Sequence, residues 1–447
     1  MKQNGRLCDG IQRRNFLSVG SATLLGSTLL LPDVLKGQDE NEHFKIDSTK
    51  DQRSLIVVFL RGGLSTIDTW DLKPNAPSEF RGDFKPISTN VPDIHLCEHL
   101  PLVAQQMDKF SLIRSFGHNN SDHGPADHYM LTGYHPEAGF NAALTPNNQR
   151  PSHGSIIAHK LGSRGAAPPY VCVPNMHPSC GSSYLGARYA PFSINADPND
   201  PGFTVQDLLP PLGLHPSRND ARRKLLAQVD QFQKSGVGRA NTKAQTVVTF
   251  RKKAFDLMTS TIAQKAFNIH TESDKVRDRY GRNSLGQSCL MARRLVEAGV
   301  RCTTIQHADW DTHNNNFSTL KKTLLPLLDS AMSALFSDLS DRGLLEKTIV
   351  LVTGEFGRTP RINGNAGRDH WGTGFTVAMG GGGIQGGRII GESTDRAERP
   401  KDSPYGPEDL NATIYHLLGI NPKEEYVTPE GRPIPIINNG NIIKGLT

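Results

Sequence analysis

The chain has 447 residues, of which 36% are hydrophobic and 21% charged, and its formal net charge is +6. This composition is typical of a globular protein with a large core, and the length allows one large α/β domain or two to three smaller ones. Residues 1–38 carry half of the positive excess, so the remainder is too weakly basic for a nucleic-acid-binding surface. After the first forty residues, no apolar run is long enough to span a bilayer.

The N-terminal segment carries a twin-arginine pattern. Arg13 and Arg14 lead directly into a modestly apolar run, residues 16–31, which Pro32 follows. This order predicts a bacterial twin-arginine export signal over residues 1–38, and an ordinary basic tail is the alternative. No clear small-residue cleavage site follows, which leaves open a retained anchor. We therefore expect the twin-arginine translocase as an export partner, a periplasmic or secreted location, and a charged linker over residues 39–53.

The remaining pattern predicts an α/β fold. Short apolar runs typical of buried strands lie at residues 54–60, 110–115, 169–174, 300–306, 349–352 and 375–379. Apolar residues recur at helical spacing over residues 285–299 and 320–339, where Pro326 should kink the helix or begin its second half. Residues from about 200 to 275 are charged and weakly amphipathic, which favours a helical insertion. Residues 54–447 then form a single domain.

Residues suited to ligand binding follow two of these strands. Glu355, Arg358, Arg361, Arg368 and His370 come after the strand at 349–352. Open α/β sheets bind ligands outside the carboxyl ends of their strands. A carboxylate, an imidazole and three guanidiniums at that edge fit a metal ion beside an anionic group. The alternative is a surface loop with solvated arginines and an incidental histidine.

A second such group follows the strand at 300–306. Asp309 and His313 lie four residues apart, with Asp311 between them. The carboxylate of Asp309 and the imidazole of His313 are good ligands for a divalent metal. Alternatively, Asp309 only caps the next helix. Upstream, His118, His123 and His128 fall within eleven residues, and they are either site residues or solvated loop histidines.

Several motifs resemble a bacterial export family known as domain of unknown function 1501, over nearly all of residues 55–420. They are Gly62-Gly-Leu-Ser with Asp68-Thr-Trp-Asp, Val276-Arg-Asp-Arg-Tyr-Gly, Gln287-Ser-Cys-Leu-Met-Ala-Arg-Arg, Trp310-Asp-Thr-His and Gly354-Glu-Phe-Gly-Arg-Thr-Pro. That family is similar in turn to the alkaline phosphatase and sulfatase superfamily. The resemblance implies a three-layer α/β sandwich, with a mostly parallel sheet between helices and a metal site at the strand ends.

The superfamily's site residues carry over in part. Asp309 with His313, Glu355 and His370 resemble metal-binding positions, and Asp68 is a candidate further ligand. Phe356 stands where the superfamily has a histidine, and Arg61-Gly62 where the first strand gives an aspartate. His123-Gly-Pro resembles the start of the sulfatase nucleophile motif, which places an imidazole at the nucleophile position.

The resemblance predicts an exported hydrolase of sulfate or phosphate esters that depends on a divalent metal (zinc, calcium or manganese). The metal would polarise the ester and activate water. His123 or His128 would act as general acid or base, and Arg358, Arg361 and Arg368 would clamp the anionic group. The alternative is a catalytically degenerate relative that binds sulfated or phosphorylated glycans. Either way, the expected partner is a small-molecule or glycan ester.

Overall fold

The computed structural model describes residues 52–205, 257–428 and 431–447. The predicted signal at 1–38, most of the linker and the middle of the predicted insertion lie outside this part of the chain. The strands are β1 (Ser54–Leu60), β2 (Pro86–Ser88), β3 (His95–Cys97), β4 (Phe110–Phe116), β5 (Tyr170–Val173), β6 (Phe192–Ser193), β7 (Cys302–His307), β8 (Thr348–Thr353), β9 (Gly357–Arg358), β10 (His370–Trp371), β11 (Phe375–Gly380), β12 (Ile389–Ile390), β13 (Glu425–Val427) and β14 (Pro433–Pro435).

The α-helices lie between these strands in sequence. They are α1 (Ser78–Arg81), α2 (Pro101–Ala104), α3 (His123–Thr132), α4 (His153–Leu161), α5 (Thr261–Phe267), α6 (Asp274–Tyr280), α7 (Ser284–Glu297), α8 (Asn316–Thr319), α9 (Leu325–Asp341) and α10 (Pro407–Leu417). In the described residues, no helix has the length and apolar character that crossing a membrane requires.

Eight of the described strands form the central sheet, in the order β12-β4-β11-β8-β1-β7-β5-β6. The strands at 54–60, 300–306 and 349–352 are confirmed as its centre, since β1 pairs in parallel with β7 on one side and β8 on the other. β11 is the exception, because it runs antiparallel to both β4 and β8. The ends of β1, β7, β8 and β4, together with the start of β11, therefore meet at one edge of the sheet.

Two layers of apolar side chains cover the sheet. Alternate residues of β1 point to opposite faces, as a pleated strand requires. Ile56 and Val58 join the core that contains α7 and α9, whereas Val57 and Phe59 join the core that contains α3, α4 and α10. The predicted three-layer α/β sandwich with a mostly parallel sheet is therefore confirmed.

The long helix before β8 differs from a simple amphipathic helix. It begins as α8, passes through a π-helical turn at Leu320–Leu324, and continues as α9, in whose first turn Pro326 lies. Proline lacks the N–H that the preceding turn would need, so the ladder of hydrogen bonds shifts there. Pro326 thus begins the second half of the helix, which was one of the two predicted outcomes.

The histidine-rich segment after β4 is helical only in part, since His118 lies in the loop before α3, whereas His123 and His128 lie in the helix. Pro125 lies in the first turn of α3, and Gly133 follows its last turn with a φ of 74°. Proline near the start and a left-handed glycine after the end are the usual boundaries of a short helix. Because α3 starts at His123, that residue lies at the same edge as the strand ends.

Candidate functional site

Three side chains from different loops converge at the carboxyl edge of the sheet. They are His123 from the first turn of α3, Asp311 from the loop after β7, and His370 from β10. One potential ligand atom from each lies within 4.8 Å of the other two. The His123 Nε2 atom is 3.3 Å from Asp311 Oδ2, and the His370 Nε2 atom is 3.1 Å from Asp311 Oδ1. We call these three residues and His313 the histidine cluster.

His313 completes this cluster on its other side. Its Nε2 atom lies 3.0 Å from Asp311 Oδ1 and 3.0 Å from the Nε2 atom of His370. The ring centroids of His313 and His370 are 4.6 Å apart, and those of His123 and His370 are 4.3 Å apart. Three imidazoles therefore share one carboxylate, and all three turn the same nitrogen toward it.

The other nitrogen of each ring is held by an acceptor. The Nδ1 atoms of His123 and His313 lie 2.6 Å and 2.7 Å from carboxylate oxygens of Glu355 and Asp369. The Nδ1 atom of His370 lies 2.8 Å from the carbonyl oxygen of Ser121. When Glu355 and Asp369 are ionised, these acceptors offer no proton and each Nδ1 is the donor, which leaves the Nε2 lone pairs of neutral rings facing Asp311.

This arrangement fits a metal cation. Metal-binding histidines usually donate their second N–H to a carboxylate or a backbone carbonyl, which fixes the tautomer. The Nε2 atoms of His313 and His370 are 3.0 Å apart, so their lone pairs repel each other when neither ring carries a proton there. The space between them also admits only one proton. A cation among the Nε2 atoms and Asp311 would satisfy every one of these groups. Zinc suits such a nitrogen-rich set better than calcium, which prefers oxygen ligands.

The charged groups around the cluster shift the pKa values of its members in different directions. Burial raises the pKa of Asp311, but the hydrogen bond and charge of Arg358 outweigh it and lower the pKa to about 2. The pKa of His123 is raised, chiefly by its hydrogen bond to Glu355 and further by the charges of Glu355 and Asp311, although burial opposes this. Asp311 is therefore ionised and positive charge on His123 is favoured, whereas burial and the charges of His123 and Arg358 lower the pKa of His370.

Close backbone packing holds these loops in place. Gly62 has a φ of 112°, and a Cβ atom there would lie 2.5 Å from the backbone nitrogen of Asp311. Its N–H donates to both carboxylate oxygens of Glu355, at 2.8 Å and 3.0 Å. A side chain at residue 62 would therefore push Asp311 away and disturb the carboxylate that orients His123. Phe356 packs against the cluster, with its ring centroid 4.5 Å from that of His370.

Four of the sequence-predicted site residues lie together here: His123, His313, Glu355 and His370. Their arrangement differs from the prediction in two respects. His123 contributes Nε2 to the cluster, so it has the position of a ligand and not of a free acid or base. Glu355 is fully buried and holds His123 Nδ1 and the Gly62 N–H, so it acts through His123.

The structure corrects the prediction that Asp68 is a metal ligand, because Asp68 is not a member of the cluster. It is fully buried and forms a two-point ion pair with Arg368, at 2.8 Å for both contacts. Ser65 and Asn316 donate to its Oδ2 atom at 2.6 Å and 2.8 Å. Its lone pairs are committed to these partners.

The structure also corrects the prediction that Arg368 and Arg358 bind the anionic group, because neither guanidinium is available to a substrate. Arg368 is fully buried and donates to Asp68 and to the carbonyls of Thr359, Pro360 and Phe80. Arg358 is buried and donates to the Asp311 carboxylate and to the carbonyls of nearby loops. Both guanidiniums hold loops together.

Arg361 lies on the surface and makes no side-chain hydrogen bond or ion pair with any described residue. The structure gives this predicted anion-binding residue no partner and no place in the histidine cluster.

Two further predictions are corrected, namely Asp309 as a metal ligand and His128 as a general acid or base. Asp309 takes a φ of 78° in the turn after β7, and its side chain is exposed and outside the cluster. His128 follows His123 by five residues, which places it about 140° around the helix. It is fully buried, its Nδ1 faces the Tyr134 carbonyl, and its Nε2 accepts from the Gln149 N–H. Burial lowers its pKa to about 4.

Sequence reasoning missed two members of the site. Asp311 was noticed only as the residue between Asp309 and His313, although it is the carboxylate that all three histidines share. Asp369, which precedes His370 directly, was not considered. The neighbourhood of a carboxylate and a histidine in sequence was the available signal in both places, but it does not show which carboxylate faces inward.

The family model described as protein of unknown function (DUF1501) matches residues 52–447. A search of curated proteins gives no match. Among solved structures, the lipoteichoic acid synthase LtaP from Listeria monocytogenes is similar at 12% identity and a TM-score of 0.36, over 88% of this chain and 76% of that one.

Two further solved structures are similar at the same level. The PsFucS1 sulfatase from Pseudoalteromonas sp. has 11% identity and a TM-score of 0.36, over 82% and 68% of the two chains. The phosphonate monoester hydrolase SpPMH from Silicibacter pomeroyi has 13% identity and a TM-score of 0.32, over 82% and 73%. Similarity this low assigns no activity, so a functional argument must rest on this chain's own side chains.

Proposed function

We propose that this chain, which belongs to the DUF1501 family, is a metal-dependent hydrolase of sulfate or phosphate esters. The observation that carries the proposal is the convergence of three Nε2 atoms on the Asp311 carboxylate, with every Nδ1 proton already donated elsewhere. The ligand atoms of His123, Asp311 and His370 lie within 4.8 Å of one another, and the His313 Nε2 atom lies 3.0 Å from both Asp311 and His370, in a site that solvent can reach. The side chain of Asp311 is 42% exposed and that of His313 is 38% exposed.

The residues that would hold the metal are His123, Asp311, His313 and His370. When bound, a divalent cation supplies Lewis acidity, which polarises an ester oxygen and activates water. Glu355 and Asp369 keep the rings of His123 and His313 turned so that Nε2 faces inward. Arg358 keeps Asp311 ionised, and Phe356 forms an apolar wall against two of the rings.

The proposal is tested by metal analysis together with turnover. The purified chain should hold a divalent ion, with zinc favoured, and His123→Ala should lower its occupancy because His123 is placed as a ligand. Turnover should be assayed on an aryl sulfate and an aryl phosphate, before and after chelation and metal restoration. A folded protein with no metal above background would contradict the proposal.

A metal-loaded protein that turns over neither ester would support the second candidate, a protein that binds sulfated or phosphorylated glycans. The specific feature that favours this candidate is the imidazole at residue 123. His123 is engaged with Glu355 and Asp311, so it offers no free nucleophile.

Direct attack by water, with inversion at phosphorus or sulfur, is the mechanism that we propose for the hydrolase.

Export by the twin-arginine pathway is part of the proposal. Arg13→Lys together with Arg14→Lys should leave the protein in the cytoplasm, because the translocase recognises those two side chains. Cell fractionation measures the outcome, with Lys36→Arg as a control that keeps the charge of the segment. Normal export of the double variant would contradict the targeting prediction.

A further inference from the structure

Arg61 lies at this edge of the sheet, and its terminal nitrogens bind no acceptor in the described part of the chain. It follows β1 directly, and its side chain is 40% exposed, whereas those of Arg358 and Arg368 are fully buried. Its one ion pair with a described residue joins Nε to Asp127 Oδ2 at 3.6 Å, a distance too long for a hydrogen bond. The two Nη atoms make no hydrogen bond to any described residue.

The position of Arg61 places it beside the histidine cluster. Its carbonyl accepts from the N–H of Trp310, the residue before Asp311. The backbone N–H of the next residue, Gly62, donates to the Glu355 carboxylate. Asp127, its ion-pair partner, lies one helical turn after His123 in α3, or about 6 Å along the axis.

Asp127 is a buried carboxylate that the proposed metal centre does not use. It is 1% exposed, and its Oδ1 atom has no hydrogen-bond partner in the described structure. Its Oδ2 atom lies 3.3 Å from the Nε2 atom of buried His177. The Nδ1 atom of His177 accepts from the Ser179 N–H at 3.0 Å, so the proton of a neutral ring sits on Nε2, near Asp127 but without a hydrogen bond to it.

Such a carboxylate is costly to bury unless it is paired. Here its two partners are His177, which is fixed by the backbone, and the Nε side of Arg61. The ion pair draws the Nε side of the guanidinium toward Asp127 without a hydrogen bond, and the parallel N–H donors of the two Nη atoms contact no described acceptor. The Nη edge has the geometry that binds two oxygens of a sulfate or phosphate group.

We propose that Arg61 binds the non-bridging oxygens of the substrate's anionic group, with Asp127 and His177 as positioning residues. The inference rests on the proposed function, and it gives Arg61 the role that the sequence suggested for Arg358 and Arg368, whose side chains are buried. A tetrahedral oxyanion is the shared chemistry of the two ester classes, and separate sulfate and phosphate measurements distinguish them.

The test is calorimetric binding of inorganic phosphate and inorganic sulfate to the full-length, metal-loaded protein. Arg61→Ala should weaken the preferred anion about 10- to 100-fold, as expected for charge-assisted hydrogen bonds. Arg361→Ala is the matched control, because it removes an exposed, unpaired guanidinium, and it should change affinity less than about twofold. Added guanidinium ion should partly restore binding to Arg61→Ala, whereas urea should not.

Arg61→Ala leaves Asp127 without its cation, so the variant could fail to fold. The double variant Arg61→Ala with Asp127→Asn removes the buried charge and should show the same loss of anion affinity at full metal content. Asp127→Asn alone should cause a smaller loss, since the guanidinium remains but is less well oriented.

Unchanged anion affinity in folded Arg61→Ala would overturn the inference, as would an equal loss in Arg361→Ala. Wild-type protein with no affinity for either anion would overturn it too. Anion binding that depends on Arg61, in a protein that turns over no ester, would instead contradict the hydrolase and leave the role of Arg61 standing.

Discussion

Two groups of charged residues lie at the same edge of the sheet, and the sequence gives no reason to separate them. One is the histidine cluster around Asp311, and the other is the pair formed by Asp68 and Arg368. The pair is fully buried, and both carboxylate oxygens meet the guanidinium at 2.8 Å. The cluster is partly exposed, and its Nε2 atoms face each other and one carboxylate.

This difference separates a structural site from a binding site. Every donor and acceptor of the buried pair has a partner within the protein, so nothing is left for a ligand. The histidine cluster satisfies its outer Nδ1 atoms and leaves its inner Nε2 atoms facing one another and Asp311, where protons or a metal ion complete it. Substitutions should therefore affect folding at the first site and metal binding at the second.

The largest effect is expected from Asp68→Ala. Removal of the carboxylate leaves Arg368 buried without its anion, which should lower the free energy of unfolding by about 3–5 kcal/mol. Urea denaturation measures this. The metal content of the folded fraction should stay unchanged, and loss of metal without loss of stability would show that Asp68 belongs to the binding site after all.

His370→Ala should break the histidine cluster with little effect on folding. It removes one Nε2 donor and should weaken zinc binding by at least about 100-fold, more than the loss of an outer partner typically does. A competition assay with a chromogenic chelator measures the affinity, and His95→Ala, at an exposed histidine of the β2–β3 hairpin, is the control. Equal affinity in both variants would remove His370 from the site.

Asp369→Asn should have an intermediate effect. It keeps the size of the side chain but weakens the acceptor that holds His313 Nδ1, so zinc affinity should fall about 10-fold. The same competition assay applies, and Asp369→Glu should recover part of the loss. A loss as large as that of His370→Ala would mean that Asp369 binds the metal itself.

The smallest effect is expected from Asp309→Ala. This side chain is exposed and lies outside the cluster, so zinc affinity should change less than about twofold. The measurement sharpens the comparison, because Asp309 and Asp311 are two residues apart and differ only in the direction they face. A large loss would restore Asp309 as the ligand that the sequence suggested.

The sheet and its flanking helices were predictable because their signals are local. The run at 54–60 is apolar at every position but the first, which is how a strand buried on both faces reads, and it coincides with β1. The helix predicted from Leu285 to the stop at Gly299 coincides with α7, and Gly299 has a φ of 94°. The segment after β4 was harder, because α3 has no apolar stripe to reveal a helix.

The sequence by itself therefore determined the fold class, and it predicted as site residues three histidines that the structure brings together at one edge of the sheet. Hydrophobic periodicity and strand direction suffice for these, since they depend on neighbours in the chain. Only the tertiary structure decided which polar groups meet. A left-handed turn at residue 309 leaves Asp309 exposed and Asp311 in the cluster, and contacts 300 residues apart commit Arg368 to Asp68. These same contacts bury Arg358 and Arg368 but leave the Arg61 side chain 40% exposed, because a guanidinium becomes unavailable only when the fold supplies its partners.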